Sequence, residues 1–257
     1  MTAILISVIA FAASALTFFS GFGLGTLLLP AFAFFYPIDL AVAATAVVHL
    51  LNGLFKLTLV GRHADWRTVA RFGIPAIGAA FLGAWLLTRF AAADPIADYT
   101  VLGVRATILP AKLLVGVLLL LVTTLELVPR YEALGLPPRY VPLGGFLSGF
   151  FGGVSGMQGA LRSAFLIRLG LSKEAFIGTG VVVATLVDVS RLGVYARDLA
   201  RHHADLDYRV LVAAVLGAFL GAILGNRFLR KLTLRTVQRI VGLMLIVVAL
   251  GLIGGLL

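Results

Sequence analysis

The chain has 257 residues, 61% of them hydrophobic and only 12% charged, with a mean hydropathy of +1.08. Soluble domains carry about 25% charged residues, so a water-soluble fold is excluded for want of polar surface. The net charge of +10 comes without a basic stripe interleaved with aromatics, which argues against nucleic acid, and the absence of cysteine excludes disulfides, thiolate metal sites and thiol catalysis.

The first apolar segment runs from Ala3 to Phe19 and ends in the cluster Gly21, Gly23, Gly25. It lacks the basic start and small-residue cleavage site of a secretory signal, and it resembles a later segment of the same chain, so it is read as a helix of the mature fold. Thr26 to Tyr36 follows, broken by Pro30; at about 1.5 Å per residue it is too short to cross a core of about 30 Å and reads as a half-helix. After a turn at Pro37 and Asp39, Leu40 to Val60 is long enough to span. A polar loop is predicted over Gly61 to Arg71, a span over Phe72 to Leu87, a charged loop over Arg89 to Arg105, and a span over Ile108 to Val128. Pro129 to Tyr140, with Pro137 and Pro138, reads as a hinge. The stretch 148–165, SGFFGGVSGMQGALRSAF, places several glycines and Arg162 where the surrounding chain is apolar enough for a bilayer. Irregular backbone at that depth must be buried in protein or line a cavity, and an arginine there is a site hypothesis by default. Spans over Ala175 to Tyr195, Val210 to Phe228 and Val237 to Leu257 complete the chain.

The two halves repeat one another. AFLGAWLLTRF at 80–90 returns as AFLGAILGNRF at 218–228, HADWR at 63–67 as HADLDYR at 203–209, and GFGLGTLLLPAF at 21–32 as VSGMQGALRSAF at 154–165. In that pairing Pro30 becomes Ser163 and Leu29 becomes Arg162. If each first helix and its half-helix form a hairpin, loops 61–71, 129–139, 168–173 and 227–239 share one side and hold twelve Lys and Arg, against six opposite. That asymmetry favours the hairpin, puts the termini outside, and inverts the second half relative to the first. The expected fold is therefore an all-α integral membrane protein forming one polytopic domain over 1–257. It has two inverted repeats, 1–128 and 140–257, joined by a linker at 129–139. Each repeat contains a glycine-broken re-entrant half-helix hairpin plus three spanning helices.

The glycine-rich SGFGLGTLLLP opening, its echo in the second half, the helices AVAATAVV and FIGTGVVV, and the FLGA helices together resemble the TauE/SafE family of sulfite exporters over essentially the whole chain. The resemblance implies a permease in the cytoplasmic membrane of bacteria that moves sulfite, organosulfonates and related sulfur anions, with no cofactor. The second repeat departs from the usual GIGGG-then-proline pattern: it reads GMQGALRS, with Gln158, Arg162 and Ser163 in the motif. These polar groups lean towards a larger or more hydrogen-bonding anion than sulfite.

Candidate site residues follow from polar groups in apolar surroundings. Thr45, His49, Asn52 and Lys56 are spaced four, three and four apart and so share one helical face. The counterpart helix carries Thr179, Thr185, Asp188, Ser190 and Arg191, with Asp188 and Arg191 spaced to pair. Arg162 can grip an oxyanion with two parallel hydrogen bonds, or pair with Asp188 and lock the units together. The backbone around Gly25 and Thr26, and around Gln158 and Gly159, supplies donors at two half-helix N-termini, with Asn52, Thr45 and Ser163 nearby. His49 and Asp188 are the candidates for proton coupling, the alternative for His49 being hydrogen-bonded packing. Lys56 is expected to snorkel, and Gly83, Gly217, Gly221 and Gly225 to allow close helix packing. Adjacent His202 and His203 beside Asp205 and Asp207 are weak evidence, and no metal is expected.

An intramembrane enzyme would need a nucleophile beside a base or a carboxylate pair at depth, and Asp188 has no carboxylate neighbour in sequence, while Glu126 sits near a helix end. The reading is a non-enzymatic secondary carrier of small anions. A scaffold subunit and an anion channel are the alternatives, and homo-oligomerisation stays open.

Overall fold

The computed structural model describes residues 2–16, 24–101, 103–128, 136–201, 207–228 and 234–257. These form ten helices and one hairpin: α1 (Thr2–Leu16), α2 (Leu24–Ala33), α3 (Ile38–Val60), α4 (Trp66–Ala91), strands β1 (Ala97–Val101) and β2 (Val104–Ile108), α5 (Pro110–Leu127), α6 (Val141–Ser155), α7 (Gly159–Leu166), α8 (Lys173–Arg201), α9 (Tyr208–Phe228) and α10 (Leu234–Ile253). This is the helical architecture expected of the all-α membrane class, with one short hairpin added. Among the described residues, α3, α4, α5 and α8 carry stretches long and apolar enough to cross a membrane, and α9 and α10 carry shorter apolar stretches, Tyr208–Leu224 and Gly242–Ile253.

Several boundaries differ from expectation. The loop predicted over 61–71 is short, because α4 already begins at Trp66. Asp65 caps it: its Oδ1 accepts from the Thr68 backbone N–H at 2.8 Å, and the Asp65 N–H in turn donates to Thr179 Oγ1 at 2.9 Å. Asp207 plays the same part at α9, where its Oδ1 accepts from the Arg209 N–H at 2.9 Å. Asp65 of the first His-Ala-Asp motif is therefore a helix-start residue; the second copy, 203–205, lies outside the described residues, as does His202. Pro30 does not break α2, which runs through it, since a proline near the end of a short helix removes one hydrogen bond and leaves the rest. The loop predicted over 89–105 contains β1 and the first two residues of β2, paired antiparallel from Ala97 with Ile108 to Val101 with Val104. The hairpin is tied to the end of α10 by Tyr99 Oη donating to Gly254 O at 2.6 Å and Thr107 N–H to Gly255 O at 3.0 Å. Of the predicted hinge, residues 129–135 lie outside the described residues, and Pro138–Tyr140 form a 3-10 turn.

Most glycines of the 148–165 stretch remain helical. Gly145, Gly149 and Gly153 are spaced one turn apart on α6 and face Phe72, Ala76 and Ala80, spaced likewise on α4; a methyl group on each would lie 2.1, 2.2 and 2.3 Å from the three facing carbonyl oxygens. The two backbones touch along that stripe, which is how small residues drive helix association without a hydrophobic effect. Gly217 and Gly221 of α9 meet Ser7 O and Phe11 O of α1 in the same way, at 2.3 and 2.2 Å. The first helix of each half thus packs on the fourth helix of the other, while α3 packs on α8 and α5 on α10.

Candidate functional site

The chain leaves the helix in the second half at one residue. α6 ends in Gly156 at φ +80°, a left-handed conformation that glycine adopts without strain, and its N–H closes on Gly152 O at 2.8 Å. α7 then starts at Gly159 and turns back: at its far end Ala164 O accepts from the Leu136 N–H at 3.4 Å, beside the segment that precedes α6. α6 and α7 therefore form a hairpin with its tip inside the protein. The first turn of α2 meets that tip, because a methyl group on Gly25 would lie 2.9 Å from Gly156 O. Gly25 and Thr26 are buried in the first turn of α2, and Gly21 and Gly23 lie outside the described residues.

α3 and α8 run antiparallel past this point, as Gly178 lies under the Val60 carbonyl and Gly53 against Thr185 Oγ1. His49 and Asp188 face each other across the pair, with His49 Nδ1 hydrogen-bonded to Asp188 Oδ2. The other carboxylate oxygen, Oδ1, accepts from Arg191 Nε at 2.9 Å, and Arg191 Nη2 stands in ion-pair contact with it at 2.7 Å. Asp188 and Arg191 are both fully buried, and the side chain of His49 is 14% exposed. A buried carboxylate is tolerable only with this degree of pairing. The guanidinium lies flat against the left-handed turn: a methyl group on Gly156 would be 2.7 Å from Arg191 Nη1.

The alternative pairing of Arg162 with Asp188 is not what forms, since Asp188 is already held by His49 and Arg191. Arg162, half-buried, instead donates from Nη1 to Gln158 Oε1 one turn earlier at 3.3 Å and lies along Gly180 of α8. Gln158 is buried, and its carbonyl accepts from Ser148 Oγ at 3.0 Å. Lys56 is half-buried in the last two turns of α3, and its charge acts on that of Arg162. Gly159 is the buried first residue of α7, and Ser163 is half-buried on its outer part.

Other expected members stand apart. Asn52 is buried against α1, where its Oδ1 accepts from Ser14 Oγ at 3.5 Å. Thr179 docks the Asp65 turn, while Thr185 and Ser190 turn back onto the carbonyls of Val181 and Leu186 in their own helix. Thr45, one turn from His49, is fully buried with its hydroxyl lacking a hydrogen-bond partner. Sequence reasoning missed Gly156 as the turn, Arg191 as its companion, and Tyr195, whose hydroxyl donates to Gly153 O. The i, i+4 spacing of Arg191 and Tyr195 and the i, i+3 spacing of Asp188 and Arg191 were the available signal.

α7 and α8 bring two guanidinium groups, Arg162 and Arg191, beside the second break, and Asp188 is the carboxylate that pairs there with Arg191. Such an excess of positive charge within apolar helices suits a small anion. The family model described as Sulfite exporter TauE/SafE matches residues 6–252. No curated protein and no solved structure matches the chain.

Proposed function

The chain belongs to the sulfite exporter TauE/SafE family, whose members are membrane transporters rather than enzymes, and from that premise we propose that it is a secondary carrier of sulfite, organosulfonates or related sulfur oxyanions. One observation carries the reading: Gly25, in the first turn of α2, touches Gly156 at the second break, beside the Arg191 guanidinium. The anion occupies this meeting point, drawn by Arg162 and by the backbone N–H groups at the starts of α2 and α7, with Gln158, Gly159, Ser163 and Thr26 as further contacts. Thr45 and Asn52 line the neighbouring face of α3.

Transport proceeds by alternating access between two inverted repeats, 1–128 and 140–257, about the 129–139 linker. The reciprocal packing of α1 on α9 and α6 on α4 supports this division. The excess of Lys and Arg on one side supports a bacterial inner-membrane orientation with periplasmic termini. A negative-inside potential drives an anion outward by about 2.3 kcal/mol per charge per 100 mV, which favours export. The His49–Asp188 hydrogen bond spans the two halves and supplies a route for proton coupling.

The test is flux in proteoliposomes with sulfite, sulfate, thiosulfate, sulfonates and small carboxylates, comparing the natural chain with Arg162→Ala. One sulfur anion is expected to move saturably in the natural chain and poorly in the folded variant. Absence of movement for every anion would favour a scaffold, and flux that rises without saturating would favour a channel.

A further inference from the structure

We propose that the oxyanion is bound deeper than Arg162, by two donors stacked over the second break: Arg191 Nη1 and Gln158 Nε2. This rests on the carrier reading and assigns its binding seat.

Room for both side chains comes from missing ones. Gly152 and Gly156 are one helical turn apart; a methyl group on Gly152 would lie 3.2 Å from Gln158 Cβ, and one on Gly156 2.7 Å from Arg191 Nη1. The two glycines thus leave a slot at the end of α6, shared at one level by Gln158 and by Val187, whose Cγ1 would be nearest a Gly152 methyl group at 2.9 Å, and occupied at the next by the guanidinium. Each side chain is anchored by one end only. Gln158 Oε1 accepts from Arg162, a donor without acceptors, which fixes the amide with Nε2 pointing away. Arg191 is anchored through Nε and Nη2 on Asp188.

What is left over is one donor on each. Gln158 Nε2 and Arg191 Nη1 have no hydrogen-bond partner among the described residues, although Gln158 is 1% exposed and Arg191 0%. Native proteins leave few buried polar atoms unsatisfied, because each costs its full desolvation. Two such donors in one slot, one of them cationic, call for an acceptor that comes and goes. Their chemistry selects an oxyanion with at least two terminal oxygens on one centre, as in sulfite or a sulfonate head group, and rejects neutral solutes and cations. Gly25 of α2 packs on the carbonyl of Gly156, so the first half stands next to the residue against which Arg191 Nη1 lies. A small cleft lined by Asp39, Thr88, Tyr195 and Leu199 reaches α8 one turn beyond Arg191. Arg162 is then a positioning residue that aims the amide.

The experiment compares the natural chain with Gln158→Glu and Arg191→Lys, reading the thermal stabilisation of detergent-solubilised protein by sulfite and by methanesulfonate, and the half-saturation concentration for flux. Gln158→Glu keeps the acceptor for Arg162 but turns the free donor into an anionic oxygen. Loss of a hydrogen bond to a charged group predicts about a tenfold or greater weakening in each variant. Arg191→Lys leaves Gln158 and Arg162 untouched, so weakened binding in that variant is not explained by a seat at Arg162 alone. Unchanged affinity in both folded variants, with Arg162→Ala abolishing binding, overturns the seat while the carrier reading stands. Binding without flux in the natural chain, lost in the variants, upholds the seat and sinks the carrier; no binding by the natural chain sinks both. Should neither variant fold, Gln158→Asn, which retracts the amide, is read against the same criterion.

Discussion

Replacing Gly156 by alanine tests whether the left-handed turn and the buried arginine form one unit. Two costs are expected. Alanine at φ +80° costs about 1–2 kcal/mol from backbone sterics alone. Its methyl group would also lie 2.7 Å from Arg191 Nη1, whereas ordinary contact begins at 3.4 Å, so the guanidinium must retreat although Nη2 already stands 2.7 Å from Asp188 Oδ1. Overpacking of this kind adds about 1–3 kcal/mol, for a total of about 2–5 kcal/mol. Gly170→Ala is the internal control: its φ is +68°, and nothing stands within 4 Å of the added methyl group, so only the backbone cost of about 1–2 kcal/mol applies. Thermal or denaturant unfolding in detergent micelles measures both. Losses equal to within about 0.5 kcal/mol would refute the packing of Arg191 on the turn.

Asp188→Ala leaves Arg191 buried without its carboxylate and is expected to cost about 3–5 kcal/mol, most of it recovered when Arg191→Leu is added; a double-mutant cycle reads the coupling. Gly149→Ala pushes α6 off α4 against a carbonyl oxygen 2.2 Å away and should cost about 1–3 kcal/mol, whereas Gly78→Ala, with nothing nearby, should be neutral or stabilising. Asp65→Ala removes a helix cap worth about 1 kcal/mol near neutral pH. Hydrogen bonds from the Thr68 hydroxyl and N–H hold the Asp65 carboxyl below its ordinary value. That part of its stabilisation is present above the unfolded pKa of about 3.9 and is lost as pH falls through the lower folded value, so the two proteins should converge in acid.

The hydrophobic runs, the duplication and the place of the second break were legible in sequence because each is a local composition signal. Helix ends were less so. Arg67 and Arg71 made 61–71 look like a loop, yet capping by Asp65 lets α4 begin beneath them. The hairpin at 97–108 carried alternating Tyr99, Val101, Val104 and Ala106 around Gly103, a strand pattern overshadowed by the charges on either side. Glycine proved ambiguous for a physical reason: the same residue type permits a left-handed turn at Gly156 and backbone contact at Gly145, Gly149 and Gly153, and only the neighbouring helix decides between them. The site shows the same limit. Spacing in α8 paired Asp188 with Arg191, but which cation met the break depended on how α8 crosses α6, so attention fell on Arg162, whose place inside the motif is visible in the sequence.

Counterflow in proteoliposomes tests the carrier most directly. Labelled sulfite outside should enter saturably, and faster when the vesicles are preloaded with unlabelled sulfite, because a carrier with one seat returns more readily when occupied. Entry that is linear in concentration and indifferent to preloading would contradict alternating access at the Gly25–Gly156 contact.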